Sequence, residues 1–154
     1  YFEGTEMSEG RGTTRPFEII GANYINSKVY CDVLTSCNLE GVIFRPIGFI
    51  PTFQKEARKT CGGAFVHVTN RDTFKPVLTG IAMAKVAFDL YPEDFKWKET
   101  PYEYVFDRNP FDVIHGSIKL REAFEQKISL EEIQSSWSNG EQEFLSQRKR
   151  FLLY

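Results

Sequence analysis

The chain has 154 residues, and its 19 Lys and Arg against 21 Asp and Glu give a net charge of -2, which excludes an electrostatic footprint for nucleic acid or anionic lipid. With 42% hydrophobic and 26% charged residues it resembles ordinary globular sequences; disorder is excluded, and one domain or one piece of a longer protein is expected. No apolar run reaches the roughly 18 residues of a membrane span, because the best one, Gly80 to Phe88, is broken by Lys85.

Residues 1–16 contain three Gly, several Thr and Ser and a closing Pro16, which predicts an irregular loop. The opening Tyr1-Phe2 has neither an initiator Met nor a leader pattern and reads as the start of a fragment. Packed domain is expected from Phe17 onward. Ser27 is placed as the cap of a helix with an apolar stripe of Val29, Val33 and Cys37, flanked by Tyr30 and Leu34 and ended by Gly41. Val42 to Phe53 then reads as an edge or bent strand, since Pro46 and Pro51 are rejected by central strands. Gly62-Gly63 predicts a turn, and Ala64 to Thr69 a strand with Phe65 and His67 on one face and Val66 and Val68 on the other.

Pro76 opens the clearest helix, with Val77, Ile81, Ala84, Phe88 and Tyr91 in register until Pro92 stops it. Trp97, Tyr102, Tyr104 and Phe106 suggest a short strand. Ser117 is expected to cap a helix through Gln126, and Ser129-Leu130-Glu131-Glu132 forms a capping box for a last helix with Ile133 and Trp137 inward and Asn139-Gly140 as a break. The tail from Phe144 to Tyr154 ends apolar and is expected to dock on the body. Helices and strands without regular alternation predict an α+β fold, a small curved or barrel-like sheet with helices packed on one side.

The chemistry is concentrated at the front. Glu3 to Thr14 gathers carboxylates, hydroxyls, Arg11 and glycines with almost nothing to bury, which suits either a ligand-facing loop or a solvated linker. It matches no phosphate-binding fingerprint. Glu3, Glu6 and Glu9 are carboxylates of the kind glycoside hydrolysis uses in pairs, but spacing within a loop selects no pair, and Arg11 among glycines suits a two-pronged grip on a carboxylate. His67 and His115 lack a nucleophile beside them and read as structural or surface residues. Cys31, Cys37 and Cys61 form no zinc or disulfide pattern and read as buried free thiols. Trp97, Trp137, Tyr102 and Tyr104 are core residues or, as the alternative, a sugar-stacking platform.

Tyr1-Phe2-Glu3-Gly4-Thr5, Ser8-x-Gly10-Arg11-Gly12-Thr13, Gly41-Val42-x-Phe44-Arg45-Pro46, Cys61-Gly62-Gly63, His67-Val68-Thr69-x-Arg71, Leu90-Tyr91-Pro92 and Arg148-x-x-Phe151-Leu152-Leu153-Tyr154 together resemble the NamZ family, exo-acting peptidoglycan β-N-acetylmuramidases formerly called DUF1343. The resemblance spans the whole chain. It implies a junction loop at 1–16 and a C-terminal domain at 17–154, with a larger Rossmann-like N-terminal domain, absent here, supplying the main catalytic glutamates. No catalytic residue is then assigned here, Glu3 being the candidate; Glu3, Ser8, Arg11 and Thr13 are the expected substrate-binding set, with Arg11 pairing the lactyl carboxylate of N-acetylmuramic acid. The resemblance implies no metal or cofactor, a muropeptide or peptidoglycan sugar as substrate, and an extracytoplasmic location. Glu6 and Asn70 depart from the family's Asn and Asp, the first adding negative charge beside an anionic sugar. A carbohydrate-binding module and a purely structural auxiliary domain are the competing readings.

Overall fold

The computed structural model describes residues 1–99 and 101–153. Three antiparallel strands, β1 (Ile19–Ala22), β2 (Val42–Phe49) and β3 (Cys61–Val68), form an open sheet in the order β1-β3-β2. Five helices accompany it: α1 (Ser27–Ser36), α2 (Pro76–Leu90), α3 (Pro110–His115), α4 (Lys119–Glu125) and α5 (Leu130–Arg148). The α+β class is as expected, but three strands do not close a barrel.

Pairing explains the glycines. Gly62 and Gly63 lie inside β3 rather than at a turn, opposite Ala22 and Gly21 of β1 and Gly48 and Ile47 of β2. A Cβ on Gly63 would lie 2.1 Å from the Ile20 carbonyl oxygen and one on Gly62 2.0 Å from that of Ile25, so the backbones approach too closely for any side chain. Pro46 sits in β2, an edge strand, where a missing N–H costs no ladder bond, while Pro51 lies beyond it. β1 had no alternation to announce it, being four residues buried on both faces.

One sheet face packs on the helices. Ile20, Ala22 and Ala64, with Phe44 and Val66, meet Tyr30, Cys31 and Leu34 of α1 and Met83, Val86 and Ala87 of α2. The buried side of α1 is thus centred on Tyr30 and Leu34, with Val29 exposed. Asn26 is its cap, accepting from the Lys28 and Val29 amides, and left-handed Asn38, not Gly41, follows its end. Ser27 instead ties helix to sheet, donating to the Ile47 carbonyl and accepting from the Gly63 amide. α2 is buried on almost every side, though its predicted Val77 is exposed, and buried Lys85 reaches Asp89 at 2.8 Å. Its far side joins Phe111, Leu120, Phe124 and Ile133 of α3, α4 and α5 in a second core.

The expected strand around Trp97–Phe106 does not form: Trp97 makes a single bridge to Thr5, Tyr102 another to Val105, and Tyr104 and Phe106 are exposed. Thr100, within that segment, lies outside the described residues. Trp97 packs among Phe88, Phe95, Phe111 and Phe124, so it is core. The capping box at Ser129 and Glu132 forms as expected, but Asn139-Gly140 leaves α5 unbroken. Phe144, Phe151, Leu152 and Leu153 are exposed, so the described tail does not dock on this body; Tyr154 lies outside the described residues.

Candidate functional site

The front loop is built into the domain. Phe2–Gly4 form a 3-10 turn, Thr5 bridges Trp97, and Ser8 bridges Gly21 at the outer edge of β1. Thr5, Met7, Ser8 and Glu9 are buried, which excludes the solvated-linker alternative for these residues. Gly10 and Gly12 take left-handed φ of 76° and 81°, where a Cβ would strike the Ile19 carbonyl and the Thr52 and Phe53 amides. These turns aim Arg11 back across the loop.

Around Arg11 runs a chain of alternating charges. Its Nη2 donates to Glu3 at 2.5 Å and its Nε meets Glu9 at 3.1 Å. The second oxygen of Glu9 accepts from Lys55 Nζ at 2.9 Å, and Lys55 also donates to the carbonyls of Phe2 at 2.7 Å and Met7 at 3.3 Å. The second oxygen of Glu3 accepts from the Tyr102 hydroxyl at 3.1 Å. These groups, with Glu6, Gln54, Lys98 and Glu103, line a cavity of about 510 Å³. The buried carboxylate of Glu9 is balanced from two sides, as a buried charge requires.

The environments set protonation. Burial pushes the Glu3 carboxyl up, but hydrogen bonds from Arg11 and Tyr102 outweigh it and hold the group below its ordinary value. Glu3 is therefore an ionised acceptor, suited to a hydrogen-bond partner, a base or a nucleophile and unsuited to a general acid, which needs a raised value. Burial lowers the Lys55 ammonium against the opposing pull of Glu9. The Tyr102 phenol is raised by burial and by its bond to Glu3.

Of the four residues expected to bind substrate, the structure gathers two. Glu3 and Arg11 share the cavity, whereas Ser8 is buried with Oγ accepting from the Gly10 amide, and Thr13 donates to the Gly10 carbonyl at 2.6 Å. The last two shape the loop. The sequence marks neither Lys55 nor Lys98 and offers Tyr102 only for sugar stacking, because all three come from irregular segments brought together only by folding. Gln54, Glu56 and Arg58 all take positive φ, so no period marks the loop that carries Lys55. Glu6 is exposed at the cavity's edge, and the Asn70 side chain accepts from the Asp72 amide in a turn.

The remaining candidates lie elsewhere. Trp137 packs against the second core and Tyr104 stands alone in solvent, so they form no sugar platform with Tyr102. His67 accepts from Arg45 Nε at 3.3 Å, and His115 lies beside the Tyr1 ring. All three cysteines are free, and burial pushes the Cys31 and Cys61 thiols up to about 11. Among the described residues no three His, Cys, Asp or Glu are grouped to hold a metal ion, and no helix is long and apolar enough to cross a membrane.

Known proteins share this architecture. The chain is 42% identical over 152 residues to the peptidoglycan beta-N-acetylmuramidase NamZ of Bacillus subtilis (strain 168), covering 99% of this chain and 35% of that protein. The crystal structure of a DUF1343 family protein from Bacteroides fragilis NCTC 9343 superposes with a TM-score of 0.81 at 26% identity, covering 97% of this chain and 38% of that one. A second DUF1343 protein from the same organism gives a TM-score of 0.58 at 25% identity, covering 99% of this chain and 38% of the other. The chain therefore spans between a third and two-fifths of the length of these relatives. The family model described as "Exo-beta-N-acetylmuramidase NamZ, C-terminal" matches residues 1–154, and the chain belongs to that family.

Proposed function

We propose that this chain is the C-terminal part of an extracytoplasmic peptidoglycan glycoside hydrolase that removes terminal β-linked N-acetylmuramic acid. Residues 1–16 are its junction segment and 17–154 its body, and the Glu3–Arg11 cavity is its wall of a cleft shared with a larger N-terminal domain. The observation that carries this reading is the 42% identity to the Bacillus subtilis muramidase over 99% of the chain, the cavity loop included. The chemistry agrees with a shared cleft. Glycoside hydrolysis needs a protonated acid on one side of the scissile bond. Glu3 is held ionised, which leaves the acid role to another residue, and this reading places it in the N-terminal domain.

Arg11 suits the lactyl carboxylate of muramic acid. Glu9 occupies its Nε and Glu3 one Nη2 proton, and among the described residues Nη1 has no partner, which leaves it to donate to an incoming carboxylate. Four carboxylates line the cavity against three cations, Arg11, Lys55 and Lys98. The local field does not favour an anion, and recognition rests on directed bonds. In the intact protein, hydrolysis of a chromogenic β-N-acetylmuramide is expected to exceed that of the matching N-acetylglucosaminide. Arg11→Lys is expected to cut the ratio of the two kcat/KM values at least tenfold, about 1.4 kcal/mol. An unchanged ratio removes Arg11 from this role, and a wild-type protein without muramidase activity removes the reading itself.

A further inference from the structure

The sheet is largely apolar on both faces. An antiparallel sheet with one wet face alternates apolar and polar residues, yet the face turned away from α1 carries Ile19, Ile47, Phe49, Cys61 and Phe65, with polar Arg45 and His67 confined to its Ile43 end. Loops 10–17 and 50–60 roof part of this face and leave an open groove of about 850 Å³ lined by Pro16, Phe17, Ile47, Ile50 and Phe53 among others. Ile43, Ile50 and Phe53 are each 56–57% exposed and Phe17 is 59% exposed, a concentration of apolar surface that water does not favour.

The backbone holds one of these rings outward at a cost. Phe17 adopts a φ of 66°, rare for a bulky residue, with its amide donating to the Glu9 carbonyl at 2.7 Å and the Arg11 guanidinium 5.2 Å over its ring. Two of the three hydroxyls that line the groove are committed inward. Thr13 Oγ1 donates to the Gly10 carbonyl and Thr52 Oγ1 to the Gly12 carbonyl, so few hydroxyl partners remain for a sugar. A lining dominated by Ile, Phe and Pro, with two of its three hydroxyls turned inward, fits a protein surface.

We propose that this groove is the docking face for the part of the polypeptide that lies outside these residues, and that Phe17, Ile50 and Phe53 are its anchors. The relatives supply the occupant: each extends over more than half its length beyond the region matched here. Arg11 lines both the groove and the charged cavity, so a body seated on the groove is brought against Glu3. The inference rests on the shared-cleft reading and names where the two halves meet.

Hydroxyl-radical footprinting of the intact protein tests it. Normalised for intrinsic reactivity, Phe17 and Phe53 are expected to label at least fivefold more slowly than their exposure here dictates, at every protein concentration. Phe53→Glu, or Ile50→Ser if the first variant does not fold, is expected to restore Phe17 labelling. Labelling at the rate set by exposure overturns the proposal. So does protection that vanishes on dilution, which means a second copy, or protection that needs added peptidoglycan fragments, which means a sugar site. Muramide hydrolysis measured in parallel separates the two ideas. An active protein with unprotected rings sinks the docking face alone, and an inactive protein with protected rings sinks the shared cleft alone.

Discussion

Lys55 holds the candidate site together from a position that no pattern marks. Its ammonium closes three contacts at once, to Glu9 and to the Phe2 and Met7 carbonyls, and its partner Glu9 has a side chain only 5% exposed. Lys55→Met removes one of the two cations balancing a buried carboxylate and leaves two carbonyls short of a donor. We expect a loss of about 2 kcal/mol in urea unfolding of the intact protein. Glu3 predicts a pH dependence of definite sign. Its folded carboxyl lies below the unfolded value, so its contribution is complete above about pH 4.3 and is lost as pH falls through the folded value. The acid limb of a Tm-against-pH curve should therefore be shallower in Glu3→Gln than in the wild type, and parallel curves would contradict the pairing with Arg11 and Tyr102.

At the scale of elements, the glycines of β3 are the sharpest test of the fold. Gly63→Ala sets a methyl 2.1 Å from the Ile20 carbonyl oxygen, and because that atom is backbone in the neighbouring strand, relief requires moving β1. A cost of about 3 kcal/mol or more is expected in thermal unfolding, whereas Gly140→Ala in exposed α5, with nothing within 4 Å, should be neutral or stabilising. The same residues show where sequence reading succeeds and fails. The cap box at Ser129, the Pro-bounded α2 and the edge character of β2 were legible because each is a local device with a local signature. Gly62-Gly63 carries the signature of a turn in the sequence, because close approach between strands leaves no mark distinct from one. The stripe of α1 was placed on Val29 rather than Tyr30 because several apolar residues share the helix and only packing against the sheet chooses among them. In the site, Glu3 and Arg11 are legible as an unusual loop, while Lys55 lies 46 residues from its partner Glu9 and Tyr102 99 from Glu3, pairs that meet only through tertiary folding.

For the whole molecule, three observations belong together: a charged cavity in which Glu3 is held ionised, an apolar groove beside it, and relatives that run well beyond the matched region. We propose that this region contributes the Glu3 carboxylate to a reaction whose acid is a different residue. The most direct measurement is kcat/KM for a chromogenic β-N-acetylmuramide with the intact wild-type protein and with Glu3→Gln, alongside Tm for both. We expect about a hundredfold loss, about 2.7 kcal/mol, with Tm at pH 7 changed by no more than a few degrees. Full activity in a folded Glu3→Gln protein would contradict the account, because the cavity would then lie outside the reaction.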